Sequence, residues 1–174
     1  MQEGLKMLLP NLKMTSKCDK VLSIAKQTRT ILEILVIKNR CNNFVNGPTL
    51  CGYCGVGSIH IQNLAKTLGI NVDLCQGVYQ SDGHRSGHCW IEYDGKIIDV
   101  TGTQFYKDIC SPIHVTSTYD DAYVIITKNS QARRILAKWP VTQNYKTYQD
   151  DLVQITYHLG LEMLRKFEST RRVR

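Results

Sequence analysis

The chain reads as an α+β protein, and three observations carry that reading. An apolar stripe at helical spacing runs through residues 17–39. A second helical pattern, Ile61, Leu64, Ala65 and Leu68, follows a loop ending in Asn46-Gly47-Pro48-Thr49. From residue 70 onward the period changes to two, with an Asp-Gly turn between two strand-like runs. Helices followed by antiparallel strands predict segregated layers. At 174 residues the chain can bury one full core, so a single domain covering 1–174 is expected.

Taken in order, Val21, Leu22, Ile24, Ala25, Ile31, Leu32, Leu35 and Val36 predict one long helix over Lys17 to Asn39. The loop Arg40 to Thr49 leads to a helix that begins near Cys54 and ends at Gly69, a residue suited to a left-handed C′ position. Ile70 to Tyr79 reads as a strand with a bulge at Gly77, and Gln80 to Gly87 as a polar loop. His88 to Tyr93 and Lys96 to Thr101 flank Asp94-Gly95, which predicts a type I′ hairpin turn. A strand over Ala122 to Thr127, a helix over Gln131 to Trp139 and a last helix over Asp150 to Phe167 complete the pattern.

The two-residue turn sets the register. Tyr93 faces Lys96, Glu92 faces Ile97, Ile91 faces Ile98, Trp90 faces Asp99 and His88 faces Thr101. One face then holds His88, Trp90, Glu92, Ile97, Asp99 and Thr101. The other holds Cys89, Ile91, Tyr93, Ile98 and Val100, the greasier set, and is predicted to face the core.

Charge and cysteine usage narrow the function classes. The net charge of +7 is concentrated partly at Lys166, Arg171, Arg172 and Arg174, read as a solvated tail. No aromatic-interleaved basic stripe accompanies it, so nucleic acid is not an expected partner. The seven cysteines are odd in number and irregularly spaced, which predicts reduced thiols and a cytoplasmic location. Met7-Leu8-Leu9 is too short for a signal core, and Ile31 to Ile37 is too short and too charged to span a bilayer.

The chemistry is predicted at Cys54. Free N–H groups and the positive end of the helix dipole meet there, which lowers a thiol pKa. His88 and Asp99 lie diagonally on one hairpin face, within reach of each other. An imidazole held by a carboxylate is the base half of a nucleophile–base–orienter triad. The Cys54 N–H is one candidate oxyanion donor; Asn46, Thr49 and Tyr53 are candidates for the second. Trp90 and Tyr53 are the candidate substrate-binding residues, Trp90 being equally readable as a core aromatic. Glu92 is expected at the rim, His60 in solvent, and His114 and His158 in structural roles. Cys18, Cys41, Cys75 and Cys110 are read as plain thiols. Cys51 and Cys54 also form a C-x-x-C pair, which leaves open a redox site or, with His84 and His88, a zinc site.

Gly52-Tyr53-Cys54, Leu68-Gly69-Ile70, Gly87-His88-Cys89-Trp90 and Asp99-Val100-Thr101, in that order, resemble the transglutaminase-like superfamily over roughly residues 50–103. Ser58 stands where that group commonly has alanine. The resemblance implies a papain-like core over about 46–127, a nucleophile helix packed on an antiparallel sheet, and flanking N- and C-terminal helices. It also implies Cys54 as nucleophile, His88 as base and Asp99 as orienter, with no metal or cofactor. The expected activity is acyl chemistry on an amide or ester of a protein or peptide substrate, as a protease or deamidase. Transfer to an amine is the nearest rival, and an inactive binding protein is the third alternative.

Overall fold

Helix α1 spans Lys17–Asn39, the bounds its apolar stripe predicts. Its start is closed reciprocally: Asp19 N–H donates to Ser16 Oγ (3.1 Å) and Ser16 N–H donates to Asp19 Oδ2 (3.2 Å). The computed structural model describes residues 16–39, 50, 52–81, 83–105 and 112–138. The predicted helix over 150–167, with Cys41, Cys51, Cys110, His158, Asn46 and Thr49, lies outside them.

Helix α2, Cys54–Thr67, packs against α1 and the sheet. Gly57 permits this approach, since a Cβ there would sit 2.9 Å from Leu32 Cδ1 and 3.0 Å from Val100 Cγ2. The helix ends in a Schellman motif: Ile70 N–H donates to Ala65 O (2.9 Å) and Gly69 N–H to Lys66 O (3.0 Å), with Gly69 at φ +69°. That motif draws Ile70 into the helix cap. Strand β1 therefore starts three residues later than predicted, at Asp73, and runs to Ser81.

Strands β2 (His84–Tyr93), β3 (Lys96–Asp99), β4 (His114–Ser117) and β5 (Tyr123–Lys128) join β1 in an antiparallel sheet of order β4-β3-β2-β1-β5. Helix α3, Asn129–Leu136, follows β5. Among the described residues the architecture is thus α+β, with three helices and a five-stranded sheet. Asp94 and Gly95 take φ +52° and +68°, and Ile91, Glu92 and Tyr93 pair with Ile98, Ile97 and Lys96 in the predicted register. The predicted bulge falls where the β1–β5 register shifts, between Gln76 and Gly77.

Two expectations for the strands are corrected. Gln80 to Gly87 is strand for most of its length, with Ser81 paired to His84 across a two-residue connection. His84 to Gly87 are exposed, so the segment carries no half-buried alternation to betray a strand. The β2–β3 ladder also stops at Ile91–Ile98, and the pairs Trp90–Asp99 and His88–Thr101 do not form. Asp99 Oδ1 accepts from Thr101 N–H (2.8 Å) and Thr101 Oγ1 (3.1 Å), an Asx turn that bends the chain away from β2. Strand β4, short and at the sheet's edge, gave no signal in the sequence.

The core has two layers. On the helix side, Leu74, Cys89, Ile91, Ile98 and Val100 pack with Leu32, Leu35, Ile61 and their neighbours, so the greasier hairpin face does meet the core. Each such aliphatic side chain contributes about 1.5–3 kcal/mol by leaving water. On the opposite face, Cys75, Tyr79, Trp90, Ile97 and Tyr123 form a second cluster with Phe105 against it. No helix among the described residues is long and apolar enough to cross a membrane.

Candidate active site

Cys54 is the first residue of α2, after the Tyr53 cap. Gly57 N–H bonds to Tyr53 O (2.9 Å), which leaves the N–H groups of residues 54–56 without an intrahelical acceptor. The Cys54 N–H is among them, the group expected as an oxyanion donor. Tyr53 is half-buried at the helix mouth.

The sheet brings the other two predicted triad residues together. His88 Nε2 donates to Asp99 Oδ2 at 2.6 Å, and both residues are buried, at 0% and 1% exposure. Asp99 Oδ2 also accepts from the Tyr123 hydroxyl (3.0 Å), while Oδ1 takes the two donors of Thr101. The carboxylate therefore has four hydrogen bonds and no direct need of water. Burial alone would raise its pKa, but the His88 charge and these donors hold it below the usual carboxylate range.

Burial likewise works against a charged imidazole, yet Asp99 outweighs it. With Cys54 adding to the effect, His88 is raised to about 10. The Cys54 thiol is pulled the other way, to about 5. Hydrogen bonding with the Cys89 thiol is the largest cause, burial opposes it, and the His88 imidazole and its charge lower it further. Cys89 is raised, by burial first and then by Cys54 itself. A thiolate facing an imidazolium is the state these shifts favour near neutral pH. With Nε2 engaged by Asp99, Nδ1 is the nitrogen left for Cys54.

Aromatic rings enclose the imidazole. Phe105 meets it edge-on (centroids 4.8 Å apart), Trp90 lies roughly parallel at 6.0 Å, and Tyr79 and Tyr123 stand at 6.4 and 6.3 Å. Trp90 is fully buried, and Cys54 is buried at 3% exposure. Trp90 is thus a wall of the His88 chamber rather than part of an open surface.

Two positions differ from expectation. Glu92 is not at a rim: it is buried, pairs with Lys128 and accepts from Trp90 Nε1 (3.4 Å). His60 is not solvated either. It is buried on α2, its Nε2 has no hydrogen-bond partner among the described residues, and burial lowers its pKa to about 4. His114 lies 12° from parallel with the Tyr123 ring and 3.9 Å from Asp120 Oδ2.

Several site residues escaped the sequence. Alternation places Cys89 in the core, and its contact with Cys54 depends on where α2 lands. Tyr123 comes from β5, two strands away from β2, and only topology links them. Arg29 of α1 donates through one nitrogen to Val100 O (2.9 Å) and Thr103 Oγ1 (2.7 Å), pinning the loop behind Asp99. An arginine on a predicted helix carries no such signal. Thr101 did have one, the Asp-x-Thr spacing of an Asx turn.

The described cysteines, Cys18, Cys54, Cys75 and Cys89, are free thiols. Among the described residues no group of three or more His, Cys, Asp or Glu is placed to hold a metal ion. No protein-family model, no curated protein and no solved structure matches this chain.

Proposed function

We propose that the chain is a thiol acyl enzyme of the transglutaminase-like kind, with Cys54 as nucleophile, His88 as base and acid, and Asp99 as orienter. One observation carries the reading: a buried imidazole bonded at 2.6 Å to a fully hydrogen-bonded carboxylate, at the start of a helix that opens with a cysteine. Cys54 Sγ attacks the carbonyl carbon of a peptide or protein amide or ester, and the C=O electrons move to an oxyanion held by the Cys54 N–H. The intermediate collapses to a thioester, and the leaving amine or alcohol takes the proton from His88 Nδ1. Water, deprotonated by His88, then attacks the thioester and releases the acid.

The ring of Phe105, Trp90, Tyr79 and Tyr123 about His88, with Cys54 itself buried, favours a second acceptor. Burial of the reacting groups limits the access of bulk water to the thioester, making acyl transfer to an amine the rival outcome of the same intermediate. Turnover of p-nitrophenyl acetate, read with and without a primary amine, tests both. Cys54→Ala should abolish it, and the ratio of amide to acid divides transfer from hydrolysis. Undiminished turnover by Cys54→Ala would end the proposal.

A further inference from the structure

Beyond Asp99 the chain is fixed on every side. Thr101 is tied to Asp99, and Arg29 holds Val100 O and Thr103 Oγ1. Residues 102–104 form a 3-10 turn in which Gln104 N–H donates to Thr101 O (3.0 Å) and Phe105 N–H to Gly102 O (2.9 Å). Phe105 stacks on Tyr79 with centroids 4.3 Å apart. Gly102 allows the turn to close on the carboxylate, since a Cβ there would lie 3.0 Å from Asp99 Oδ2. The result is that Gln104 Nε2 stands 3.5 Å from His88 Nδ1, the ring nitrogen that Asp99 leaves free.

A protonated Nδ1 is a donor, so the atom facing it must be an acceptor. A carboxamide presents either oxygen or nitrogen by a half-turn of its last torsion, with no movement of the backbone. We propose that Gln104 is a positioning residue for the imidazolium: Oε1 accepts from Nδ1–H, sharing that proton with the Cys54 thiolate, while Asp99 holds Nε2. When the imidazole is neutral, the carboxamide turns and donates through Nε2. This role rests on the Cys54–His88 pair proposed above. The other titratable groups about the ring are Cys54 of α2, Asp99 of β3, Tyr79 of β1 and Tyr123 of β5, with Cys89 of β2 bonded to Cys54. Gln104 adds a neutral dipole that can answer either charge state.

The test is the pH profile of Cys54 carboxymethylation by iodoacetate in the full chain, read by peptide mapping. An anionic reagent reports both halves of the pair, its rate rising as the thiolate forms and falling as the imidazolium is lost. The limbs should lie near 5 and 10. In Gln104→Ala the falling limb should move down by about one pH unit, the size of one lost hydrogen bond to a charged group. Ester turnover should fall about tenfold. Gln104→Met, which keeps the length without the acceptor, should match it, and Gln104→Glu should move the limb upward. An unmoved limb in Gln104→Ala and Gln104→Met would overturn the role, even where ester turnover falls, since that pattern is an oxyanion donor's. His88→Ala separates the two readings. It should remove the falling limb, and if the limb persists the Cys54–His88 pair itself is wrong, and Gln104's role with it.

Discussion

His88 and Glu92 stand four residues apart on one face of β2, with Trp90 between them, and the two ends of that face behave in opposite ways. At the His88 end a carboxylate faces an imidazole, and a thiol buried beside them is lowered to about 5. At the Glu92 end a carboxylate faces Lys128, and the buried thiol of Cys75 is raised to about 12. Burial raises both thiols, and for Cys75 it is the largest cause, with the Glu92 charge adding to it. Cys54 escapes because its neighbours donate hydrogen bonds and positive charge. The Glu92 end also borders a groove of about 380 Å³ shared with Asp73, Asp94 and Lys128, whereas the triad is closed. The two thiols part because of what hydrogen bonds to them and what charge faces them, not because of depth in the fold.

The comparison breaks most completely at the triad. Cys54→Ala should reduce ester turnover to background, and His88→Ala should lower it by about 10²–10⁴. Asp99→Asn should fall in the same range, since an amide cannot stabilise the imidazolium. Full turnover in Asp99→Asn would refute the orienter role. Because His88 and Asp99 are both buried, alanine at either should also cost stability. Asp99→Ala removes the buried acceptor shared by His88 Nε2, the Tyr123 hydroxyl and both Thr101 donors, which should cost about 3–5 kcal/mol in urea unfolding.

Backbone changes come next. Gly77→Ala places a Cβ 2.0 Å from Val124 O and 2.9 Å from the Trp90 ring, so it should cost about 3 kcal/mol and loosen β5, which supplies Tyr123. Gly95→Val should cost less, because only its positive φ is violated and no atom lies within 4 Å of a Cβ there. Chemical denaturation of both variants checks the order.

Stability against pH sharpens the contrast further. His88, raised from 6.5 to about 10, contributes fully below 6.5 and loses that contribution as pH rises through 10. Cys54, lowered from 9.0 to about 5, contributes fully above 9 and loses it as pH falls through 5. Between about 6.5 and 9 the two slopes cancel, so stability should be flat there and fall on both flanks. His60, lowered from 6.5 to about 4, steepens the acid flank, and His60→Leu should flatten it. The smallest effect is expected at the other end of β2. Glu92→Gln should lower the Cys75 pKa and leave the iodoacetate profile of Cys54 unmoved.

The sequence made the hairpin legible because Asp94-Gly95 specifies a turn, and the turn fixes which side chains share a face. It made Cys54 legible because a glycine-proline loop and an apolar stripe bracket a helix start. Cys89, Gln104, Tyr123 and Arg29 stayed hidden, since each reaches the site through packing between elements far apart in the chain. Glu92 and His60 were misplaced for a related reason: polarity predicts exposure unless a partner is known. Glu92 has one in Lys128, while His60 is simply buried at a desolvation cost that no local pattern announces.

The most direct measurement is a limiting pulse of iodoacetamide on the native protein at pH 6, followed by peptide mapping of all the cysteines. A thiol with a pKa of about 5 is then about 90% ionised, against about 0.3% for an ordinary one near 8.5. Cys54 should be labelled first despite its burial, His88→Ala should slow that labelling, and Cys51→Ser should not. Labelling led by Cys18 or Cys51, or a Cys54 rate indifferent to His88→Ala, would contradict the thiolate–imidazolium pair on which the account stands.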